Sequence, residues 1–551
     1  MTMKKHLLAL SLIFLVAYIL PLGFRPLVDP DETRYAEIPR EMNASGDYVV
    51  PRLNGVLYFE KPVMGYWLNA FSMNVFGENN FAVRLPQALA VGFSALCIFF
   101  LAARSGGGVS SGFLCALIYM SCLQVFAIGV FNTLDSLLCF FLTGSLTFFY
   151  LAWDKRESRK AYYGFLALAG LFCGLACHTK GFLAFAVPVS VIVPFVIWEG
   201  RWKEMFKIPW IPVGVAVLVM LPWGILIHLR EPDFWNYFFW HEHVSRFLSG
   251  ASQHKEPFYF FIPVLLGGIF PHTVLLPAAF SGLKIKGFDS SFSRFLLCWF
   301  LFPFLFFSAS SGKLETYILP CFPPLAILIG LGLSAYLSAD RKSLFSGGVR
   351  VMMFFPVLAV IAVFALQNGV SHKMDYLFSD LWKIGVFLVA MAGFGLLLRA
   401  AHKAGKPFKS IMFFALSPML FYAAAHVLTP DKALRRNSPN LFIDQNLSLI
   451  KKDAIVVSPS TPIKAVCWSL KRNDIFLLDG GGELSYGFGQ KGMAHRQLTF
   501  ETFGLMVSAN KTGRQIVLIL DERRYTRWKE QLPQPATMVN NGEDGFIMAF
   551  F

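Results

Sequence analysis

Residues 133–153 read TLDSLLCFFLTGSLTFFYLAW, an unbroken apolar run with one charge, Asp135, near its start. At about 1.5 Å of rise per residue, a helix of this length crosses the roughly 30 Å hydrocarbon core of a bilayer. The run is too long and too solid for a barrel strand, which shows short alternating segments. A carboxylate beside such a span is costly and is functional by default. The bland alternative for Asp135 is an ion pair with Lys180 that joins helices without doing chemistry.

Runs of the same kind recur at about 6–24, 84–103, 109–128, 161–178, 181–199, 208–229, 259–281, 294–310, 316–337, 349–368, 379–399 and 408–429. With 133–153 they predict a polytopic α-helical membrane protein of about 13 transmembrane helices. Composition agrees. The 551 residues are 55% hydrophobic and 15% charged, against about 25% charged in soluble domains, so one soluble globule is excluded. An aromatic share of 16% excludes a mainly disordered chain. The first run follows Lys4 and Lys5, and Ile19-Leu20-Pro21-Leu22 offers no A-x-A-like cleavage site. It reads as an uncleaved helix rather than a signal peptide. Eight of the nine Cys lie in or beside apolar runs and none forms a CxxC pair, so neither a disulfide framework nor a zinc knuckle is implied.

The net charge of +15 speaks for topology and anionic lipid in a membrane protein, not for nucleic acid. With the N-terminus in the cytoplasm, the short inner loops are basic, from Arg104 and Lys155 through Lys284 and Arg341 to Lys403 and Lys409. The odd count then places the C-terminus outside. Two outer loops are long, 25–83 and 230–258, and long loops between helices are more often functional than accidental. Beyond Pro430 the composition turns polar. Ala454–Val457, Ile475–Leu478 and Ile516–Leu520 read as buried strands with helical stretches between them. The expected organisation is therefore a membrane domain over 1–429 and a small extracytoplasmic α/β domain over 430–551. Gly480-Gly481-Gly482 is a turn signal. No G-x-G-x-x-G runs from strand into helix there, so no nucleotide site is expected.

On this topology the densest polar motifs share the outer face: Asp29 to Glu37, Tyr58 to Pro62, Asp135, His178 to Gly181, Trp240 to Phe247 and Ser311 to Tyr317. Polar groups converging at one membrane face predict a single site. Asp31 opens a short helix just after a span, whereas Asp29, Glu32 and Glu37 could simply cap or solvate it. Glu60-Lys61-Pro62 reads first as a surface turn. His241, Glu242 and His243 could bind a divalent cation with Glu60, although H-x-H without a third fixed ligand is a weak signal. Lys180, Arg246 and Lys313 are cations at the membrane face, suited to lipid headgroups or to one specific phosphate.

The long outer loop with Asp-Glu after the first span, and a second acid at the fourth, resembles the GT-C glycosyltransferase fold of the protein O-mannosyltransferase superfamily. More closely, the chain is similar to the aminoarabinose transferase family of Gram-negative bacteria. The carrying residues are Asp29 to Ile38, Gly46-Asp47, Tyr58 to Pro62, Thr179 to Leu183, Pro222-Trp223-Gly224, Arg230-Glu231-Pro232, Glu242-His243, Arg246-Phe247 and Gly312-Lys313-Leu314. The likeness reaches Ala465 to Asp474 in the tail. Glu315, where the family usually has Pro, and His241 depart from the pattern.

The resemblance implies a multi-pass enzyme of the bacterial inner membrane with its site facing the periplasm. It would move 4-amino-4-deoxy-L-arabinose from undecaprenyl phosphate to a lipid A phosphate. That lowers the negative charge of the outer membrane and confers resistance to polymyxin and other cationic antimicrobial peptides. Asp31, Asp135 and Lys61 are the implied catalytic residues, and Arg34, Tyr35, Glu60, Lys180, Arg246, Lys313 and Tyr317 the implied substrate-binding ones. The partners are the lipid-linked donor, lipid A and membrane lipids, not nucleic acid. No cofactor is required, and a Zn or Mg ion would use Glu60 and His243. The donor's leaving group is already a phosphate and the acceptor phosphate is ionised at neutral pH, so no acid–base pair of the hydrolase kind is needed. Cations that hold two anions together are expected instead, with Lys61, Arg246 and Lys313 on the donor phosphate. The alternatives are another polyprenyl-phosphate-sugar transferase with a protein or glycan acceptor, and a flippase for lipid-linked sugars. The flippase is disfavoured because the polar residues gather at one face rather than at the midplane.

Overall fold

The computed structural model describes residues 2–245, 255–367, 376, 378–510, 513–542 and 545–551. The chain forms two compact units. The first comprises Met1–Leu22, Arg84–Ala365 and Ile384–Leu428; the second comprises Gly23–Val83, Leu366–Lys383 and Thr429–Phe551.

Among the described residues the first unit is mainly helical, and its apolar runs lie mostly in helix. Among the described residues, nine helices are long and apolar enough to cross a membrane. The number rises to 11 when two bent pairs are each taken as one span. These are Val109–Ser121 with Leu123–Gly129, bent by 67°, and Phe258–Gly268 with His272–Lys286, bent by 95°. The sharper bend contains Pro271, which has no N–H for a continuing helix. Two of the runs counted in the sequence are shorter as helices: Met3–Phe14, extended by a π-helical Leu15–Ile19, and the 16-residue Leu183–Trp198.

Burial ranks the spans. Of the apolar stretches in Asp135–Asp154 and Glu315–Ser338, 83% is buried, against 17% for Trp202–Arg230 and 22% for Ser343–Ala365. The first two are central and the last two present their side chains outward. Apolar burial gives little drive between helices in lipid, so close backbone approach matters. Gly282 and Gly332 supply it. A Cβ on Gly282 would lie 1.8 Å from the Gly332 carbonyl oxygen, and one on Gly332 would lie 2.2 Å from that of Ala279. Helices Leu276–Lys286 and Phe322–Ser338 therefore meet backbone to backbone.

In the second unit the long segment after the first span is folded. Helix α1 (Asp31–Ser45) ends at Gly46, whose φ of 71° is the usual left-handed helix stop. Strands β1 (Arg52–Leu53) and β2 (Val56–Leu57) form a hairpin around Asn54-Gly55. Both turn residues have positive φ, 57° and 72°, as a type I′ turn requires. The Glu41 carboxylate accepts from the backbone N–H groups of Asn54 and Gly55 at 2.5 and 2.9 Å, which satisfies two donors of the turn. Helix α2 (Met64–Phe76) follows.

The rest of the unit is a six-stranded sheet of β3 (Ile455–Ser458), β4 (Phe476–Leu478), β5 (Gln497–Leu498), β6 (Ile516–Asp521), β7 (Thr537–Asn540) and β8 (Phe546–Phe550). Its order is β5-β4-β3-β6-β8-β7. β5, β4, β3 and β6 are parallel, and β8 pairs antiparallel with both β6 and β7. The three strands expected from the sequence match β3, β4 and β6 to within a residue or two. Val457, Leu478, Phe503, Leu518 and Ile547 are in the sheet's core. A second apolar cluster joins Leu27, Ala36, Met73 and Val83 to Trp468 of the tail. Asn54 ties the hairpin to the sheet. Its Nδ2 donates to the Ile475 carbonyl at 2.8 Å, and its Oδ1 accepts from the Ile475 N–H at 2.9 Å. The change of composition at Pro430 thus opens the last of three segments that build this unit.

Candidate functional site

The candidate residues divide between the two units. In the first, Asp135 begins helix Asp135–Asp154 and Lys180 ends helix Arg159–Lys180. A carboxylate at a helix N-terminus and a cation at a C-terminus both suit the backbone dipole. The two meet. Lys180 Nζ donates to Asp135 Oδ1 at 2.7 Å, with the side chains 15% and 11% exposed. Lys180 Nζ also lies 5.3 Å from the ring centre of Tyr317, within cation–π range. Tyr317 is held in the 3₁₀ turn Glu315–Cys321. Gln124 secures that turn by donating to the Glu315 carbonyl at 2.5 Å. The ion pair weighed for Asp135 is present, and it sits against an aromatic ring.

Lys313 is buried, and its Nζ donates to the carbonyls of Glu256 at 2.8 Å and Ser310 at 2.5 Å. One of these bonds holds its own loop and the other ties it to the distant segment at Glu256, which fixes the ammonium group in place. Glu315 is exposed. Arg246 lies outside the described residues, and so does the side chain of His243.

The second unit holds Asp31, Arg34, Tyr35, Glu60 and Lys61. Arg34 pairs with Asp31 one turn back on α1 and, at 2.5 Å, with Glu483 Oε1. Lys464 Nζ donates to Glu483 Oε2 at 2.9 Å, and the Tyr58 hydroxyl donates to the same oxygen at 3.4 Å. The Arg34 guanidinium lies 4.7 Å from the Tyr35 ring centre, and that ring stacks on Tyr66 at 6.0 Å. Arg34 is nearly buried, and its Nε has no hydrogen-bond partner among the described residues. Burial pushes the Glu483 carboxyl upward, but Arg34 and Lys464 outweigh it and hold it at about 2. Asp29 behaves in the opposite way. Burial raises its carboxyl to about 6, against the pull of the Thr33 hydroxyl and of Lys464 and Arg34.

The acids of α1 separate by role. Glu32 is buried and accepts from Arg25 at 2.9 and 3.1 Å and from the Val28 N–H at 2.9 Å. Glu37 is buried against Arg40 at 2.6 and 2.7 Å. Glu41 holds the hairpin turn. Asp31, with its side chain 46% exposed, is the acid of this helix that faces out. Lys61 Nζ donates to the carbonyl of Glu60 at 2.8 Å. Among the described residues no group of three or more His, Cys, Asp or Glu side chains could hold a metal ion.

Sequence reasoning did not single out Lys464, Glu483 or Tyr66. Faint signals existed: Lys464 directly precedes the tail segment that carries the resemblance, and Glu483 follows the Gly480–Gly482 turn. Both arrangements can hold anions: fixed cations, oriented by carboxylates and lined by aromatic rings.

Comparison with known proteins bears on both units. Residues 3–238 match the dolichyl-phosphate-mannose-protein mannosyltransferase family, and residues 434–548 match the family described as arabinosyl transferase ArnT, C-terminal domain. An undecaprenyl phosphate-alpha-4-amino-4-deoxy-L-arabinose arabinosyl transferase of Shewanella sediminis is 36% identical over 98% of this chain and 97% of its own length. The enzyme of the same name from Yersinia enterocolitica is 37% identical over 95% of this chain and 94% of its own. The crystal structure of ArnT from Cupriavidus metallidurans bound to undecaprenyl phosphate is 23% identical. It covers 99% of this chain and 98% of its own, with a TM-score of 0.85. The archaeal oligosaccharyltransferase AglB of Archaeoglobus fulgidus shares the fold more distantly, with a TM-score of 0.52 over 96% of this chain and 70% of its own.

Proposed function

The chain belongs to the undecaprenyl phosphate-alpha-4-amino-4-deoxy-L-arabinose arabinosyl transferase family, and on that premise we propose how its polar side chains share the reaction. The protein is a polytopic membrane glycosyltransferase of the GT-C fold that moves 4-amino-4-deoxy-L-arabinose from undecaprenyl phosphate. Relatives similar over nearly the whole of both chains carry this reading.

The acceptor in our reading is a lipid A phosphate, the site faces the periplasm from the inner membrane, and all thirteen apolar runs cross the bilayer. Adding a cationic sugar to that phosphate lowers surface charge, which is the route to polymyxin resistance. An acceptor phosphate oxygen attacks the anomeric carbon, and undecaprenyl phosphate leaves with the bonding electron pair. Negative charge builds on the leaving phosphate, so fixed cations there stabilise the transition state more than the ground state. We assign Lys61, Arg246 and Lys313 to the donor phosphate. Asp31 and Asp135 orient the sugar, its 4-ammonium group or the acceptor, with Arg34 and Lys180 setting the angles of the two carboxylates. Tyr35, Glu60 and Tyr317 complete the binding side chains. The leaving group is already a phosphate and needs little proton donation, so our reading routes no step through a metal. Glu60 and His243 are the pair to which a Zn or Mg ion would be added.

The test is mass spectrometry of lipid A made with and without this protein. A gain of one pentosamine on a phosphate is expected. An unmodified lipid A alongside a modified protein or glycan would move the acceptor assignment to another substrate. Transfer by purified protein without an ion gradient or potential separates a transferase from a flippase. Labelling with membrane-impermeant reagents at positions 31 and 61 checks the orientation, and reaction from the cytoplasmic side would overturn it.

A further inference from the structure

The second unit contains a cavity of about 270 Å³ that none of the roles assigned above uses. Its walls include Arg436, Arg523, Arg524, Asn437, Thr461 and Phe546. Its position in the sheet is informative. Thr461 lies just beyond the C-terminal end of β3, Asp521 is the last residue of β6, and these two strands are parallel neighbours. The chain runs from β3 to β4 on one side and returns to β6 on the other. The gap beyond the ends of β3 and β6 is therefore the point where the strand order reverses. In open α/β sheets that crevice is where ligands bind, because the connections leave in opposite directions and open a space between them.

The side chains there specify what the space would take. Three arginines and two aspartates, Asp29 and Asp521, line it. Arg524 is pre-oriented: Nη1 donates to Asp521 Oδ2 at 2.7 Å and Nη2 to the Thr461 hydroxyl oxygen at 2.8 Å. Asp29 is engaged by the Thr33 hydroxyl at 2.6 Å. Planar guanidinium groups in one cavity match phosphate oxygens. Asn437 and the apolar ring of Phe546 add the mixed polar and apolar wall that suits a sugar. The volume lies just under the roughly 300–1,000 Å³ of sites for drug-sized ligands, enough for a phosphorylated monosaccharide but not for a whole glycolipid.

We propose that this cavity binds a phosphate monoester carried on a sugar, separately from the groups that act on the donor. The reading of the acceptor as a phosphorylated glycolipid supplies the natural source, a headgroup phosphate other than the one being modified. The same chemistry could come from a free sugar phosphate or from inorganic phosphate.

Titration calorimetry on the full-length protein in detergent separates these sources. The probes are glucosamine 1-phosphate, inorganic phosphate and unphosphorylated glucosamine. Glucosamine 1-phosphate should bind more tightly than inorganic phosphate, and glucosamine should not bind. R436Q/R523Q should weaken the sugar phosphate at least tenfold, R436K/R523K should retain most of the binding, and K61A should leave it unchanged. No binding by the unsubstituted protein overturns the proposal, as does binding that R436Q/R523Q leaves intact or K61A abolishes. Inorganic phosphate binding as tightly as the sugar phosphate overturns its sugar component. No donor is present in the titration, so a failure here and a failure to transfer aminoarabinose are distinguishable.

Discussion

Asp135 with Lys180 in the helical unit, and Asp31 with Arg34, Glu483 and Lys464 in the α/β unit, place an acid beside a cation in different ways. The first joins the ends of two helices in an apolar bundle, with an aromatic ring beside the ammonium group. The second is a chain of charges in which Arg34 touches two carboxylates and one of those also takes Lys464. Where water is scarce, a single pair leaves a bare charge if either member is lost, so the geometry is exacting and the pair is also structural. In the network Arg34 and Glu483 each have two partners, and the outward-facing member, Asp31, can engage a ligand without loosening the fold. Asp135 is thus the harder residue in which to separate chemistry from folding.

The largest effect should come from breaking the pair in the bundle. Asp135→Asn removes the carboxylate that Lys180 faces and should cost about 3–5 kcal/mol of stability. Adding Lys180→Gln should restore much of the melting temperature in detergent but not transfer. If transfer returns as well, Asp135 only joins helices. Lys61→Ala comes next. It should slow aminoarabinose transfer about 30- to 1000-fold, the ~2–4 kcal/mol of one lost charge-assisted contact, with little change in melting temperature. Asp31→Asn should also slow transfer in a folded protein. Normal rates would place Asp31 with its structural neighbours Glu32 and Glu37.

Glu483→Gln tests the network itself and should cost about 1–3 kcal/mol at pH 7. The folded-state carboxyl is held at about 2, below the ordinary 4.5. Its stabilisation is therefore complete above pH 4.5 and fades as pH falls toward 2. Melts of both proteins should converge at the acid end, and a gap that persists there would argue against the ion pairs as its cause. Asp29 has the opposite sign. Its carboxyl is raised from 3.8 to about 6, so its contribution to stability declines as pH rises across that interval. Asp29→Asn should leave the melting temperature unchanged below pH 3.8 and raise it at pH 7 by an amount equivalent to about 3 kcal/mol. The smallest effect should follow metal removal. Dialysis against EDTA should leave transfer unchanged, and restoration of lost activity by zinc or magnesium would make Glu60 and His243 ligands.

Much of the helical unit was legible because lipid permits few backbone solutions, so an apolar run of sufficient length becomes a helix. The Asp135–Lys180 pair was legible too, since two charges at adjacent span ends in an apolar setting have few other partners. The segment 25–83 reads as a long loop between the first two spans, with a short helix opening at Asp31. Yet Asn54-Gly55 is a short-range hairpin signal, and Gly46 a helix stop, each visible one residue type at a time. Strand β7 carries little signal because it is largely exposed and lacks a run of inward residues, yet Asn541-Gly542 between β7 and β8 is another short-range hairpin signal.

The sequence by itself determined that the chain crosses a membrane many times, that an α/β segment follows, and which motifs resemble a transferase. These depend on local hydropathy, periodicity and short patterns, which act over one helix or strand. Only the tertiary structure decided that Glu32, Glu37 and Glu41 are bound up in the fold while Asp31 faces out, and that Glu483 and Lys464 stand beside Arg34. It alone brought Arg436, Arg523 and Arg524 around one cavity at the ends of β3 and β6. Such pairings depend on which residues meet after folding, and an ionised side chain's role is set by its neighbours in space, a few positions away for Glu37 and Arg40 but 449 positions away for Arg34 and Glu483.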